Sequence, residues 1–195
     1  MRSGGYALNP TRVEAIFKAL LQEIEPEDWR REDLAETPRR ATEAWVEWCA
    51  GYNTNPTELL KTFSESATGY DELVVVTNIP FYSHCAHHLA TIEGIAHVGY
   101  LPSTHVVGLS KIPRIIDAYA RRLQTQERLT TEIADCLHTG LQAQATGVIL
   151  RAKHACLSSR GARVQGAEMV TSALRGMLKT DDSLRLEFLT LCGMK

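Results

Sequence analysis

The pattern of apolar residues changes at Leu73, and this change constrains the fold more than any other feature of the sequence. Before it, two helix-start signals, Asn9-Pro10 and Thr37-Pro38, each precede apolar residues at helical spacing. Residues 73–76 are then a mostly β-branched run, and residues 95–101 alternate as a strand does. The sequence therefore predicts a helical first third followed by a region that contains a sheet.

The rest of the chain alternates between helical and strand patterns. Ser110 is expected to cap a helix, and a second helix follows with leucine or isoleucine at positions 129, 133, 137 and 141. Residues 147–156 and, more weakly, 169–178 have strand patterns, and residues 181–191 predict a closing helix. This order favours an α+β fold with helices packed on an antiparallel sheet. We expect one structural unit with a helical region over residues 1–70 and a sheet-containing region over residues 71–195.

Composition narrows the class of protein. A chain of 195 residues with 44% hydrophobic content can form one sizeable domain, and a formal charge of −2 gives no overall field that would attract nucleic acid or an anionic membrane. The sequence has neither a signal-peptide pattern nor a run of about 20 apolar residues, so we expect a soluble, cytoplasmic protein. Five cysteines without an export signal favour thiol or metal chemistry over a disulfide framework.

A first cluster of metal-binding side chains lies in the motif SHCAHH at residues 83–88. Cys85 and His88 have the Cys-x-x-His spacing of metal ligands. Short Cys/His clusters also arise by chance, so a polar loop with one buried cysteine is the alternative interpretation.

A second cluster, His154-x-Cys156, strengthens the metal hypothesis, because strand alternation predicts both side chains on one face. Cys85, His88 and Cys156 could then form a three-ligand zinc site whose fourth position is left to water. His87 and His154 would remain free for proton transfer near neutral pH. A closed structural zinc site, with one of these histidines as the fourth ligand, is the alternative.

A third group of residues could bind an anionic nucleotide. Ser110, Lys111 and Arg114 stand at the predicted start of a helix, where free backbone N–H groups favour phosphate, and Arg160 could reach the same anion. Glu127, which follows Gln126, could accept two N–H bonds from the edge of a guanine. Taken singly, these charged residues are also typical of a solvated surface.

Four motifs in this order resemble the GTP cyclohydrolase I family. They are SHCAHH, VVGLSKIPRIIDAYARRLQTQERLT, HACLSSRG and VTSALRG, and the similarity runs from about Thr37 to the C-terminus. The resemblance implies the tunnelling fold, an antiparallel four-stranded sheet with two helices on one face, preceded here by the N-terminal helical region. It also implies GTP as substrate and a homodecamer of stacked rings with active sites between subunits.

The resemblance also implies a role for each matching residue. Cys85, His88 and Cys156 match the zinc ligands, and His87 and His154 match the catalytic histidines. The substrate-binding positions comprise the purine-binding pair and the triphosphate contacts, which are Gln126, Glu127, Ser110, Lys111, Arg114, Arg160 and Arg40. In the implied reaction, zinc-activated water attacks C8 of GTP while His154 protonates N7, and formate is released. His87 then assists the rearrangement to 7,8-dihydroneopterin triphosphate.

The sequence departs from the family at Ala86, where the family usually has glutamate between the cysteine and the two histidines. Loss of a carboxylate beside the metal could slow one step by about 10–100-fold. There are two alternative functions, and the departure at Ala86 motivates the first of them. One is a specialised paralogue that stops at a ring-opened product or uses another purine nucleotide; the other is a non-catalytic oligomer that binds a purine nucleotide.

Overall fold

The computed structural model describes residues 8–63 and 69–194. Its elements in chain order are α1 (Pro10–Ile24), α2 (Thr37–Trp48), β1 (Thr62–Phe63), β2 (Val74–Cys85), β3 (Thr91–Leu101), β4 (Val106–Val107), α3 (Lys111–Ala120), β5 (Leu123–Gln124), α4 (Gln126–Leu141), β6 (Ala145–His154), α5 (Ala155–Ser158), β7 (Met169–Gly176), α6 (Met177–Thr180) and α7 (Asp182–Leu191). Residues 1–7 and 64–68 of the predicted N-terminal region, and the last residue of the predicted sheet-containing region, lie outside the described residues.

The predicted helix starts are confirmed. The Asn9 side chain accepts a hydrogen bond from the Arg12 amide at 3.1 Å, and Pro10 begins α1. Helix α2 begins at Thr37 with Pro38 in its first turn. Ser110 precedes α3 but makes no capping bond with its side chain, so the predicted cap is present in position only. In the described part of the chain, no helix is long and apolar enough to cross a bilayer.

The main sheet has the strand order β5-β2-β3-β6-β7. Its four long strands, β2, β3, β6 and β7, are antiparallel, while the two-residue strand β5 pairs in parallel with the end of β2. Strands β1 and β4 form a separate small pair. The α+β class is therefore confirmed, and the sheet is mixed where a purely antiparallel one was expected.

Strand β2 extends nine residues beyond the β-branched run that predicts it, from residue 76 to Cys85. The register with β3 shifts between Val76 and Ile79, where Asn78 adopts a left-handed backbone with φ of 56°. Such a bulge moves the following side chains to the opposite face, which breaks the alternation that a strand pattern relies on. After this shift in register, β2 continues to Cys85.

Both faces of the sheet are covered. Helices α3 and α4 pack on one face through fully buried residues such as Ile115, Leu129 and Leu137. On the other face Phe188 of α7 is fully buried, and a Cβ on Gly99 or Gly147 would lie 2.6 Å from its ring. Glycine at these two strand positions therefore lets the closing helix pack against the sheet, a contact the sequence analysis does not predict.

Candidate functional site

The candidate site lies at the edge of the sheet where β2 and β6 end and α4 begins. A cavity of about 450 Å³ opens there. Its lining includes Cys85, His87, His88, Gln126, Glu127, His154 and Cys156. Residues from three separate sequence motifs thus face one cavity.

The turn after β2 is tightly held by its backbone. The Cys85 amide donates to the Ala90 carbonyl at 2.8 Å, and the Leu89 amide donates to the Cys85 carbonyl at 2.9 Å. Leu89 has a φ of 56°, an unfavourable left-handed conformation for a branched side chain, and such strain clusters at functional sites. The turn exposes His87 and His88, whose Nδ1 atoms each lie 3.8 Å from the buried Cys85 Sγ.

Cys85, His88 and Cys156 form a group that could hold a metal ion, with donor atoms all within 4.8 Å of one another. Tetrahedral zinc bonded to sulfur and nitrogen needs donor separations of roughly 3.6–3.8 Å. The Cys85–His88 distance already meets this value, and small side-chain rotations would bring in the third donor. Two thiols and one imidazole are also the donor types that zinc prefers, so the residues present fit this ion.

The route by which Cys156 reaches the group differs from the prediction. Strand alternation over residues 147–156 is wrong at its end, because β6 stops at His154 and Cys156 lies in the single helical turn α5. This turn is closed by a bond of 2.9 Å from the Ser159 amide to the Ala155 carbonyl. The turn, and not the pleat of a strand, brings Cys156 towards Cys85.

The electrostatic surroundings of Cys156 are mixed. Burial raises the pKa of this thiol, the neighbouring Cys85 raises it further, and Arg160 partly offsets both effects. The thiolate is the form that binds metal, so a bound cation would favour the deprotonated state that burial disfavours. Arg160 itself is exposed, two residues beyond the end of α5.

His154 is held at the end of β6 by one strong contact. Its Nε2 atom lies 2.8 Å from Gln126 Oε1. Burial lowers the pKa of His154, and the Glu127 carboxylate partly counteracts that effect. The net effect lowers the pKa, so the neutral form of the His154 imidazole is favoured.

The two residues expected to form a purine-binding pair have different surroundings. The Gln126 side chain is 1% exposed, and its amide nitrogen donates to the Leu150 and Met169 carbonyls at 3.1 and 2.9 Å. Glu127, the next residue, is exposed at the start of α4 and lines the cavity. Only the Glu127 side chain is free to meet a ligand directly.

The remaining candidate residues lie away from this cavity. Ser110, Lys111 and Arg114 stand at the start of α3, whose other end leads into β5 beside Cys85. A helix of ten residues spans about 15 Å. Arg114 lines a different cavity, of about 600 Å³, and Arg40 is exposed on α2. Within a single chain, the metal group and the purine-facing residues therefore lie together. The four residues Ser110, Lys111, Arg114 and Arg40 lie elsewhere.

Sequence reasoning missed two features of the site. Thr125 lines the cavity and caps α4 by accepting from the Arg128 amide, a signal that its position before the helix could have provided. His84 is buried against Trp45 and Trp48, with ring centroids 5.1 and 4.6 Å away. That contact joins α2 to the Cys85 end of β2 and leaves no local signal in the sequence.

The sequence is similar to known proteins over most of its length. The family model "GTP cyclohydrolase I" matches residues 13–193. The protein named GTP cyclohydrolase 1 from Nitrosospira multiformis is 53% identical over 165 residues, which cover 85% of this chain and 86% of that protein. The protein of the same name from Mycobacteroides abscessus is 46% identical over 190 residues, covering 96% of this chain and 91% of its own.

A crystal structure of the apo form of the archaeosine synthase QueF-Like aligns with a TM-score of 0.46 and 17% identity, covering 54% of this chain and 94% of that one. This similarity is too low to support an inference. The family match, in contrast, spans almost the whole sequence, and the resemblance seen in the motifs is confirmed. This chain belongs to the GTP cyclohydrolase I family.

Proposed function

We propose that this protein hydrolyses GTP at C8, releases formate and rearranges the product to 7,8-dihydroneopterin triphosphate, with zinc as cofactor. The observation that carries the proposal is the convergence of Cys85, His88, Cys156, His154 and Glu127 on one cavity. Relatives named GTP cyclohydrolase 1, matched over most of their length, support the same activity.

Cys85, His88 and Cys156 would hold the zinc ion, which when bound supplies an activated water for attack on the guanine ring. The carboxylate of Glu127 accepts two N–H bonds from the guanine edge, which orients C8 towards the metal-binding residues. His154 transfers a proton at N7, and His87, exposed at the turn, assists proton transfer during the rearrangement of the ribose. Arg160, which follows Cys156 by four residues, would contribute its guanidinium to triphosphate binding.

The remaining triphosphate contacts come from other subunits in this proposal. Ser110 and Lys111 lie at the start of α3, about a helix length of roughly 15 Å from the end that leads to Cys85, and Arg114 lies one turn nearer to that end. Anion binding by these residues and by Arg40 therefore requires neighbouring chains to meet at the cavity. The proposed active site is thus incomplete in a monomer.

Open strand edges support such an assembly. Within the described residues, β7 pairs on one side only, with β6, and β2 pairs with β5 only at His84 and Cys85. Unpaired edges favour pairing with another chain. We propose that β7 of one subunit joins β2 of the next in a tunnelling-fold ring, and that two rings form a homodecamer.

The first test of the proposed function is substrate choice. Purified zinc-loaded protein is incubated with GTP or ATP, and formate release is measured. The expected result is formate from GTP and none from ATP. Adenine has no N–H group at N1 from which the Glu127 carboxylate could accept a hydrogen bond. Equal formate from both nucleotides, or none from GTP, would contradict the proposal.

Mixing two inactive variants tests whether the active site is shared between subunits. Cys156→Ala removes a metal ligand and Lys111→Ala removes a triphosphate contact, so each variant alone should be inactive or nearly so. After joint refolding in equal amounts, about one quarter of wild-type activity is expected. In a random mixture, about one quarter of the sites take their metal ligands from a Lys111→Ala chain and their triphosphate contact from a Cys156→Ala chain, so both parts of the site are intact.

Two variants that fail in the same half of the site provide the matched control. Cys156→Ala mixed with His88→Ala should stay inactive, since both remove a metal ligand. If Cys156→Ala and Lys111→Ala form mixed oligomers by mass spectrometry but regain no activity, the shared-site proposal is wrong.

A further inference from the structure

A cluster of three charged residues lines the same cavity as Arg114, the cavity of about 600 Å³. The cluster consists of Glu47 in α2, Asp117 in α3 and Arg121, which directly follows α3. Arg121 Nε donates to both carboxylate oxygens of Asp117 at 2.9 and 3.0 Å, and its Nη1 donates to Glu47 Oε1 at 3.0 Å. One guanidinium therefore holds two carboxylates.

Arg114 is exposed and has no partner of this kind. Within residues 8–63 and 69–194, its side chain forms neither a hydrogen bond nor an ion pair. Asp117 follows Arg114 by three residues and precedes Arg121 by four, and opposite charges at either spacing on a helix are neighbours that attract each other. Asp117 could therefore pair with either arginine, and in the structure it pairs with Arg121.

The choice of partner matters for an anionic ligand. An arginine that already holds a carboxylate has fewer free N–H groups for a phosphate, and the carboxylate beside it repels the anion. Because Asp117 pairs with Arg121, the guanidinium donors of Arg114 stay free, and the charge of the acid nearest to it along the helix is offset.

We propose that Arg121 is a positioning residue for triphosphate binding, because it holds Asp117 away from Arg114 and leaves Arg114 available to the anion. This inference rests on the proposed function, in which Arg114 contacts the triphosphate of GTP. Arg121 acts through Asp117 and does not itself touch the substrate. Without Arg121, the Asp117 carboxylate pairs with Arg114 and competes with the triphosphate for the same guanidinium.

Arg121→Gln tests the proposal, because glutamine removes the charge and keeps a donor for the Glu47 carbonyl, which Arg121 Nη1 also contacts at 3.2 Å. We expect KM for GTP to rise about 5-fold, the upper range for one exposed ion pair, while kcat and zinc content stay close to wild type. Adding Asp117→Asn should return KM to near its wild-type value, since no carboxylate then competes for Arg114. Arg185→Gln is the matched control, because it breaks an exposed arginine–aspartate pair on α7 and should leave KM unchanged.

Two other roles for Arg121 predict different results. If Arg121 only ties α2 to α3, Arg121→Gln lowers thermal stability, and Asp117→Asn fails to restore KM. If Arg121 touches the triphosphate directly, the double variant keeps the raised KM, and Arg121→Gln weakens binding further in an Arg114→Gln background. The proposal expects restored KM in the double variant and no further change in that background, so either of the other patterns overturns it.

A binding measurement separates this inference from the proposed reaction. Calorimetric titration of the purified, zinc-loaded protein with inorganic triphosphate requires no turnover. The wild type should bind this anion, Arg121→Gln should bind it about 5-fold more weakly, and the double variant with Asp117→Asn should bind it as the wild type does. If the wild type released no formate from GTP, the proposed reaction would fail, and these titrations would still decide the role of Arg121. Equal affinity in the wild type and Arg121→Gln, or no binding to the wild type, overturns the inference.

Discussion

Replacing Cys156 by alanine is expected to remove the metal and the activity together. Two remaining ligands, Cys85 and His88, cannot hold zinc well, because a catalytic zinc site uses three protein ligands. Zinc content should fall from about one per chain to background, and formate release from GTP should fall by at least about 1,000-fold, since the metal supplies several kcal/mol of barrier lowering. Metal analysis of the purified variant, paired with a formate assay, measures both.

Cys49→Ala is the matched control for this variant. Cys49 is also a half-buried free thiol, but it lies at the end of α2 and outside the metal group. It should keep its zinc and its activity. Full zinc occupancy and turnover in Cys156→Ala would refute the assignment of Cys156 as a ligand.

Replacing Glu127 by glutamine is expected to weaken recognition of guanine while zinc stays bound. A neutral amide cannot accept both N–H bonds from the guanine edge, and loss of a charged hydrogen bond costs about 1.5–3 kcal/mol. That cost corresponds to a rise in KM for GTP of about 10- to 140-fold. Steady-state kinetics of the zinc-loaded variant gives the value directly.

Inosine triphosphate sharpens the test, because its purine lacks the exocyclic amino group of guanine. The wild type should prefer GTP over inosine triphosphate, and Glu127→Gln should lose most of that preference. Glu187→Gln, an exposed glutamate on α7, should behave as wild type. An unchanged preference for GTP in Glu127→Gln would mean that another group reads the guanine.

The family and the main helices can be predicted from the sequence because their signals are local or are repeated in order. Helix α4 places Leu129, Ile133 and Leu137 at regular spacing, and all three are fully buried. The metal hypothesis needs only two short clusters of thiols and imidazoles, and the structure brings Cys85, His88 and Cys156 together. A candidate metal site can therefore be predicted from the residue types in a motif before the fold is known.

The parts that the sequence cannot predict depend on distant contacts. The partners that bury the Gln126 side chain, Leu150 and Met169, lie 24 and 43 residues away, so no local pattern separates its surroundings from those of Glu127. The bulge at Asn78 changes the face of β2 without a recognisable turn signal. The alternating sequence pattern of β6 continues past the end of the strand at His154. The sequence therefore does not show that Cys156 lies in a helical turn.

Ala86 remains the clearest chemical difference from the family pattern. It is exposed in the turn between Cys85 and His87, and its amide donates to the Gln124 carbonyl at 2.9 Å. A glutamate side chain here would stand beside the metal group, and alanine supplies no carboxylate. Among the residues of this chain that line the cavity, Glu127 supplies the carboxylate.

Simultaneous measurement of formate and pterin from GTP tests the central claim most directly. Protein is stripped of metal, divided, and assayed with and without added zinc, following formate release and pterin absorbance in the same sample. The account predicts one pterin for each formate with zinc and neither product without it. Formate without pterin, or no product in the zinc-loaded sample, would contradict the proposed reaction.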